Sequence, residues 1–201
     1  MTMLPATPSQ TIGPFYGYAL PFARGGDMAS DAHPEAVTVH GYVLDGEGAP
    51  IPDALLEFWQ PAPDGSLTGA PGSLRTDPTT GVLLGRDHTG FTGFGRVPTD
   101  ADGHYALRTL TPPAVGKSAP YLSVCLFARG LLHHLYTRVY FPEHEAAQAA
   151  DPLLAALPPR RRATLVARGQ GPRSYRFDVR IQGGDGDGAD AETVFLAFPL
   201  G

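Results

Sequence analysis

The chain has 201 residues, a formal net charge of −5 and 42% hydrophobic residues, which suits one sandwich-type domain with a full core and excludes a wholly disordered chain. The acidic balance makes nucleic acid a poor partner, because phosphate binding needs a basic surface. No 18-residue apolar span offers a membrane helix.

Glycine (25) and proline (21) together argue against a helical bundle and for many short strands joined by turns. The one cysteine, Cys125, lies in an apolar run and reads as a buried, inert thiol in a reducing compartment. Residues 1–10 lack the basic start and apolar core of a signal peptide, so the expected location is the cytoplasm.

Residues 1–36 read as an extended arm, with Pro, Gly and isolated aromatics (Phe15, Tyr16, Tyr18, Phe22) but no sustained periodicity. Residues 37–201 read as the sandwich domain. Val37, Val39, Gly41 and Val43 alternate with Thr38, His40 and Tyr42, a strand signature closed by the turn DGEG at 45–48. Residues 54–60 (ALLEFWQ) form the returning strand. The stretch 61–90 is a long loop, the kind that is usually functional or interfacial. Residues 91–97 and 104–110 read as strands around the turn TDADG. The run 121–128 reads as a doubly covered strand and 135–141 as another. Residues 143–157 are the best helix candidate, Ala-rich and stopped by Pro158-Pro159. The triplet Arg160, Arg161, Arg162 reads as a solvated helix face. Residues 174–181 (SYRFDVRI) alternate strictly, and 193–198 (TVFLAF) make the last strand. The sum is a mainly β protein: a β-sandwich of about eight strands with an N-terminal arm and one short helical excursion.

Several motifs sharpen this reading. HGYVLD at 40–45, GAPIPDA at 48–54 and TDADGHY at 99–105 are shared by several sandwich modules. Trp59-Gln60 and GFGR at 93–96 are more particular. So are TPSQTIGPF at 7–15, LFARG at 126–130, HLYTR at 134–138, RFDVRIQG at 176–183 and ETVF at 192–195. Together they resemble the intradiol ring-cleaving dioxygenases, and within them the α-type chains of the protocatechuate 3,4-dioxygenases, over nearly the whole length.

The resemblance implies a metal position. Catalytic chains of that family hold Fe(III) with two tyrosines and two histidines, hard phenolate oxygens suiting a hard ion. Here Leu67 and Val115 stand at the tyrosine positions, and Tyr121 and Ser123 at the His-x-His. Leucine and valine cannot donate to a metal. The resemblance therefore implies no metal and no catalytic residue in this chain alone, with Fe(III) in a partner β-type chain of an (αβ)n assembly. The pair would open 3,4-dihydroxybenzoate with O2, between the hydroxylated carbons, to 3-carboxy-cis,cis-muconate in aromatic catabolism. His133-His134 is not a chelate if it lies in a strand, since neighbours there point to opposite faces. His40, His88, His104 and His144 read as solvated or hydrogen-bonded.

The same resemblance carries Thr11, Gly13, Pro14 and Phe15 onto an arm that reaches the partner's substrate pocket, and Arg129 onto a charged position near it. Gly13-Pro14 is a rigid bend open to close approach, and Arg129 offers a fork for a carboxylate. The other reading of these residues is ordinary turn chemistry and a structural ion pair. The alternative for the whole chain is a non-catalytic, transthyretin-like binding or carrier module, which leaves the arm motif unexplained.

Overall fold

A computed structural model describes residue 13 and residues 16–68, 75–85, 90–183 and 191–197. A short helix, α1 (Tyr16–Ala19), precedes β1 (Val37–Leu44), β2 (Leu55–Trp59), β3 (Arg75–Thr76), β4 (Leu83–Gly85) and β5 (Phe94–Pro98). Then come β6 (His104–Thr109), β7 (Tyr121–Phe127) and β8 (Leu135–Tyr140). A 3-10 turn at Pro142–His144 leads to α2 (Glu145–Ala150), α3 (Pro152–Ala156) and α4 (Pro159–Ala163). The short strands β9 (Arg168–Gly169), β10 (Ser174–Arg176) and β11 (Val179–Arg180) follow. Among the described residues no helix is long and apolar enough to cross a membrane.

The expected mainly β sandwich forms. One sheet gathers β6, β1, β10, β11 and β9 around β1, and the other runs β5-β2-β7-β8. β3 and β4 pair as a separate hairpin in the long loop. Alternation along the strands sends Val39 and Val43 from the first sheet, and Leu56, Phe58, Leu122, Val124, Leu126 and Val139 from the second, into one core. Each such side chain stabilises the fold by about 1.5–3 kcal/mol. Met28, ahead of β1, is fully buried in the same core and its N–H bonds to the Arg108 carbonyl.

The opposite face of the β5-β2-β7-β8 sheet positions the site. Its register sets Phe94, Trp59, Ser123 and Arg138 side by side in one row, and Arg96, Glu57, Cys125 and Tyr136 in the next. Period-two alternation makes this face the complement of the core face.

Several expectations need correction. The strand over 174–181 is broken at Phe177 and Asp178, although both halves run parallel to β1. There the Asp178 carboxylate accepts the Tyr42 N–H (3.1 Å) in place of a ladder carbonyl. Gly41 faces the break, and a Cβ on it would collide with the Phe177 carbonyl. The single helix over 143–157 is in fact the 3-10 turn, α2 and α3. Pro152 cannot donate to a continuing helix, and Asp151 caps α3 by accepting from the Leu153 and Leu154 N–H groups.

The last strand reduces to one bridge, Tyr136 to Leu196, among the described residues. Hydroxyls take over its ladder: Thr193 Oγ1 accepts from Arg180 N (2.9 Å) and Thr164 Oγ1 from Val194 N (3.1 Å). The arginine triplet is not simply solvated. Arg162 donates to the Leu154 carbonyl (2.9 Å) and Arg161 to that of Glu192 (2.5 Å), tying α4 to its neighbours. His133 and His134 precede β8 rather than lying in a strand.

Candidate functional site

Leu67, Val115, Tyr121 and Ser123, singled out far apart in sequence, line one cavity of about 150 Å³ with Trp59, Gln60, Pro61 and Pro113. The sheet supplies the floor: Trp59 ends β2, Ser123 lies opposite it, and Tyr121 is two residues back along β7 on the same face. Two loops supply the walls. In the first, Asp64 Oδ1 accepts the Ser66 N–H (2.9 Å) and the Ala62 N–H bonds to the Ser66 carbonyl, which presents Leu67. In the second, Gln60 holds the chain after β6. Its Nε2 donates to the Leu110 carbonyl (3.0 Å) and its Oε1 accepts from Thr109 Oγ1 (2.5 Å), so the proline turn carries Val115 over the sheet.

The cavity is apolar with a polar end. Trp59 packs on Phe94 with ring centroids 4.5 Å apart and the planes tilted by 42°. The Arg138 guanidinium sits 4.0 Å from the Tyr121 ring centroid, a close cation–π contact, and Nη1 donates to the Tyr140 hydroxyl (3.1 Å). Tyr140 in turn donates to Asp151 Oδ2 (3.2 Å), which also accepts the Ala119 N–H (3.0 Å). Burial pushes the Tyr140 phenol up to about 12, with Arg138 opposing and Asp151 adding. One turn along the sheet, Arg96 forks onto Glu57 (2.6 Å). Burial beside Glu57 pushes the Cys125 thiol up to about 12, which suits the inert role expected of it.

As a metal centre the cavity fails on its donors. Two of the four positions are hydrocarbon, one is an aliphatic hydroxyl, and a single phenol remains; that set does not fit a ferric ion. Among the described residues no three His, Cys, Asp or Glu side chains gather as a metal group. His134 instead shares a 2.6 Å hydrogen bond with the Tyr136 hydroxyl and packs on Phe127. His40 Nδ1 and His104 Nε2 are 3.2 Å apart, and His40 Nε2 meets Gln170 Oε1 (2.8 Å).

Arg129 and the described start of the arm lie away from this cavity. Thr11, Pro14 and Phe15 lie outside the described residues. Gly13 has φ +69°, the left-handed region where glycine is favoured. Three residues on, Tyr16 packs on Phe127 (centroids 6.3 Å), and Arg129 pairs with Asp53 at 2.6 Å. Burial, with Asp53 adding and Arg129 opposing, pushes the Tyr16 phenol up to about 12. At about 3.3 Å per residue, Phe127 is about 20 Å along β7 from Tyr121. The arm root and Arg129 therefore cluster at the opposite end of the sheet from this chain's own cavity.

Sequence reasoning missed Arg138 and Asp151, which brace Tyr121 from behind. Only the cross-strand register pairs Arg138 with Ser123. The Asp151-Pro152 pair, a cap followed by proline, was the available signal.

No family model matches the chain. It is 42% identical to the protocatechuate 3,4-dioxygenase alpha chain of Burkholderia cepacia, over 98% of this chain and 99% of that one. To the beta chain of the Burkholderia cepacia enzyme the identity is 28%, over 75% of this chain and 66% of that one. Among solved structures, the dioxygenase domain of a dioxygenase–carbohydrate-binding protein fusion from Streptomyces sp. SirexAA-E superposes with a TM-score of 0.53 at 28% identity, over 77% of this chain and 85% of that one. The full-length similarity, joined to the β-sandwich, leads to one conclusion: the chain belongs to the protocatechuate 3,4-dioxygenase alpha-chain family of intradiol dioxygenases.

Proposed function

We propose that the chain is the metal-free half of a two-subunit protocatechuate 3,4-dioxygenase. It pairs with a β-type chain in an (αβ)n assembly in the cytoplasm, and the ferric ion on which intradiol cleavage depends is held by that partner. The complex joins both atoms of O2 to 3,4-dihydroxybenzoate and yields 3-carboxy-cis,cis-muconate. No bond-making step falls to residues of this chain.

The observation that carries the reading is the cavity of Leu67, Val115, Tyr121 and Ser123, at the expected ligand positions but without the donors. The stronger likeness to an alpha chain than to a beta chain agrees with it. This chain's contribution is the N-terminal part of the 1–36 arm, with Thr11, Gly13, Pro14 and Phe15, together with Arg129; Met28 keeps the later part of that segment in this chain's own core. Gathering Tyr16, Asp53 and Arg129 far from the chain's own cavity suits an arm that leaves toward another subunit.

The test is co-expression with a β-type chain and oxygen uptake on 3,4-dihydroxybenzoate. The expected result is a co-purifying pair with full activity, and little or none from this chain alone. Full activity of the β-type chain in this chain's absence, or failure of the two to associate, contradicts the proposal.

A further inference from the structure

The sheet built around β1 carries a second cavity on its outer face, of about 700 Å³. Alternation along β10 and β11 sends Tyr175, Phe177 and Val179 into the core, so Arg176, Asp178 and Arg180 share the outward face. To these β9 adds Arg168, and α4 adds Arg162. Leu44 and Val166 supply apolar surface among the arginines. The size falls in the range of small-molecule sites, about 300–1,000 Å³.

Charge is unbalanced in this cavity. Arg176 and Arg168 stand opposite each other in the β10–β9 register, where like charges repel. One carboxylate serves both: Asp178 Oδ2 accepts from Arg168 Nη2 and from Arg176 Nε, each at 2.9 Å. Arg162 commits its Nε and Nη2 to the Leu154 and Leu157 carbonyls (2.9 and 3.4 Å). Neither Arg162 nor Arg180 makes an ion pair among the described residues. Four guanidinium groups and one carboxylate leave a surplus of three positive charges, in a chain whose net charge is −5. Cations gathered in a cleft focus a positive potential there. Thr193 also lines it, and its Oγ1 accepts the Arg180 N–H (2.9 Å), which leaves its own proton to donate.

We propose that the cleft of Arg162, Arg168, Arg176 and Arg180 is a binding site for a small organic polyanion, a molecule with two or more carboxylate or phosphate groups. Guanidinium forks match both groups in geometry, and those of Arg162 and Arg180 carry the unpaired charge. Asp178 holds Arg168 and Arg176 in place, so a second oxyanion meets donors already oriented. A ligand with a single charge leaves most of the surplus uncompensated, which is why two or more anionic groups are specified. The site uses no residue of the cavity on the other sheet and none of the arm, so it stands or falls separately from the proposed subunit role.

The test is isothermal titration calorimetry of the full chain with citrate and, separately, pyrophosphate, at constant ionic strength. One saturable site per chain is expected for at least one of the two, and the tighter of them tells carboxylate from phosphate. Arg180→Gln is expected to weaken binding about tenfold, the loss of one hydrogen bond between charged groups. Arg162→Gln removes the other unpaired charge, with the same expectation. Arg75→Gln takes an equal charge from exposed β3 and should leave the affinity within about twofold. No saturable heat with either anion overturns the proposal, as does wild-type affinity in both Arg180→Gln and Arg162→Gln. An equal loss in Arg75→Gln also overturns it, because overall charge then accounts for the binding. The co-purified complex, compared with its own Arg180→Gln form, should show the same difference. Its absence there overturns the proposal too, because an acidic segment of the partner then occupies the cleft.

Discussion

Replacing Asp151 by alanine should cost far more than its place on a short helical excursion suggests. Asp151 is fully buried, and its carboxylate accepts four hydrogen bonds. Two come from the first N–H groups of α3, and losing such a cap costs about 1 kcal/mol. The other two come from the Ala119 N–H and the Tyr140 hydroxyl, both buried, and each orphaned donor costs about 1–3 kcal/mol. The combined loss is about 3–7 kcal/mol, which lowers the melting temperature of a chain this size by about 6 °C or more. Asp151→Asn keeps one cap oxygen but turns an NH2 toward the Ala119 N–H, so it should fall between alanine and wild type. Urea unfolding of the three proteins by circular dichroism measures this. A loss below about 1 kcal/mol for Asp151→Ala, the range of an ordinary surface change, would refute the network that braces Tyr140 and hence Arg138.

Other outcomes follow from the same structure. Gly41→Ala drives a methyl into the Phe177 carbonyl and should abolish soluble expression or lower the urea midpoint sharply; a midpoint equal to wild type would contradict the close crossing of β1 and the 174–180 segment. Cys125, its thiol raised to about 12 by burial beside Glu57, should resist a disulfide-exchange reagent at pH 8 and react only on addition of denaturant. Burial raises the Tyr140 phenol from its ordinary value near 10 to about 12, so its neutral form is favoured by the fold. The stability that this favours is complete below pH 10 and is lost as the pH rises toward 12; Tyr140→Phe should flatten that fall in an alkaline unfolding series. The Arg129–Asp53 pair is mostly exposed on the arginine side, so Arg129→Ala should change the stability of the chain by less than about 1 kcal/mol. A larger effect on assembly with the β-type chain is expected, and equal co-purification of Arg129→Ala would remove Arg129 from the subunit interface.

The sandwich was legible because period-two alternation and Gly/Asp turns are local signals. Residues 37–44 and 121–127 appear almost as read. The departures lie where side chains take over backbone roles. Asp178 accepts the Tyr42 N–H and interrupts an alternating strand, and the Thr193 and Thr164 hydroxyls replace a ladder at the C-terminal segment. Periodicity carries no trace of such substitutions. That Leu67, Val115, Tyr121 and Ser123 belong together was suggested only by the family resemblance; the structure lines one cavity with them. Its floor was not legible, because the pairing of Trp59 with Ser123 and of Ser123 with Arg138 is a matter of register. Likewise, the arginine triplet looked solvated until the carbonyls of Leu154 and Glu192 stood within reach.

Metal analysis of the co-purified pair shows directly which chain holds the iron. One ferric ion per pair is expected, with none retained by this chain when it is purified without its partner. Two ferric ions per pair, or stoichiometric iron with a phenolate-to-iron absorption band in this chain alone, would contradict it.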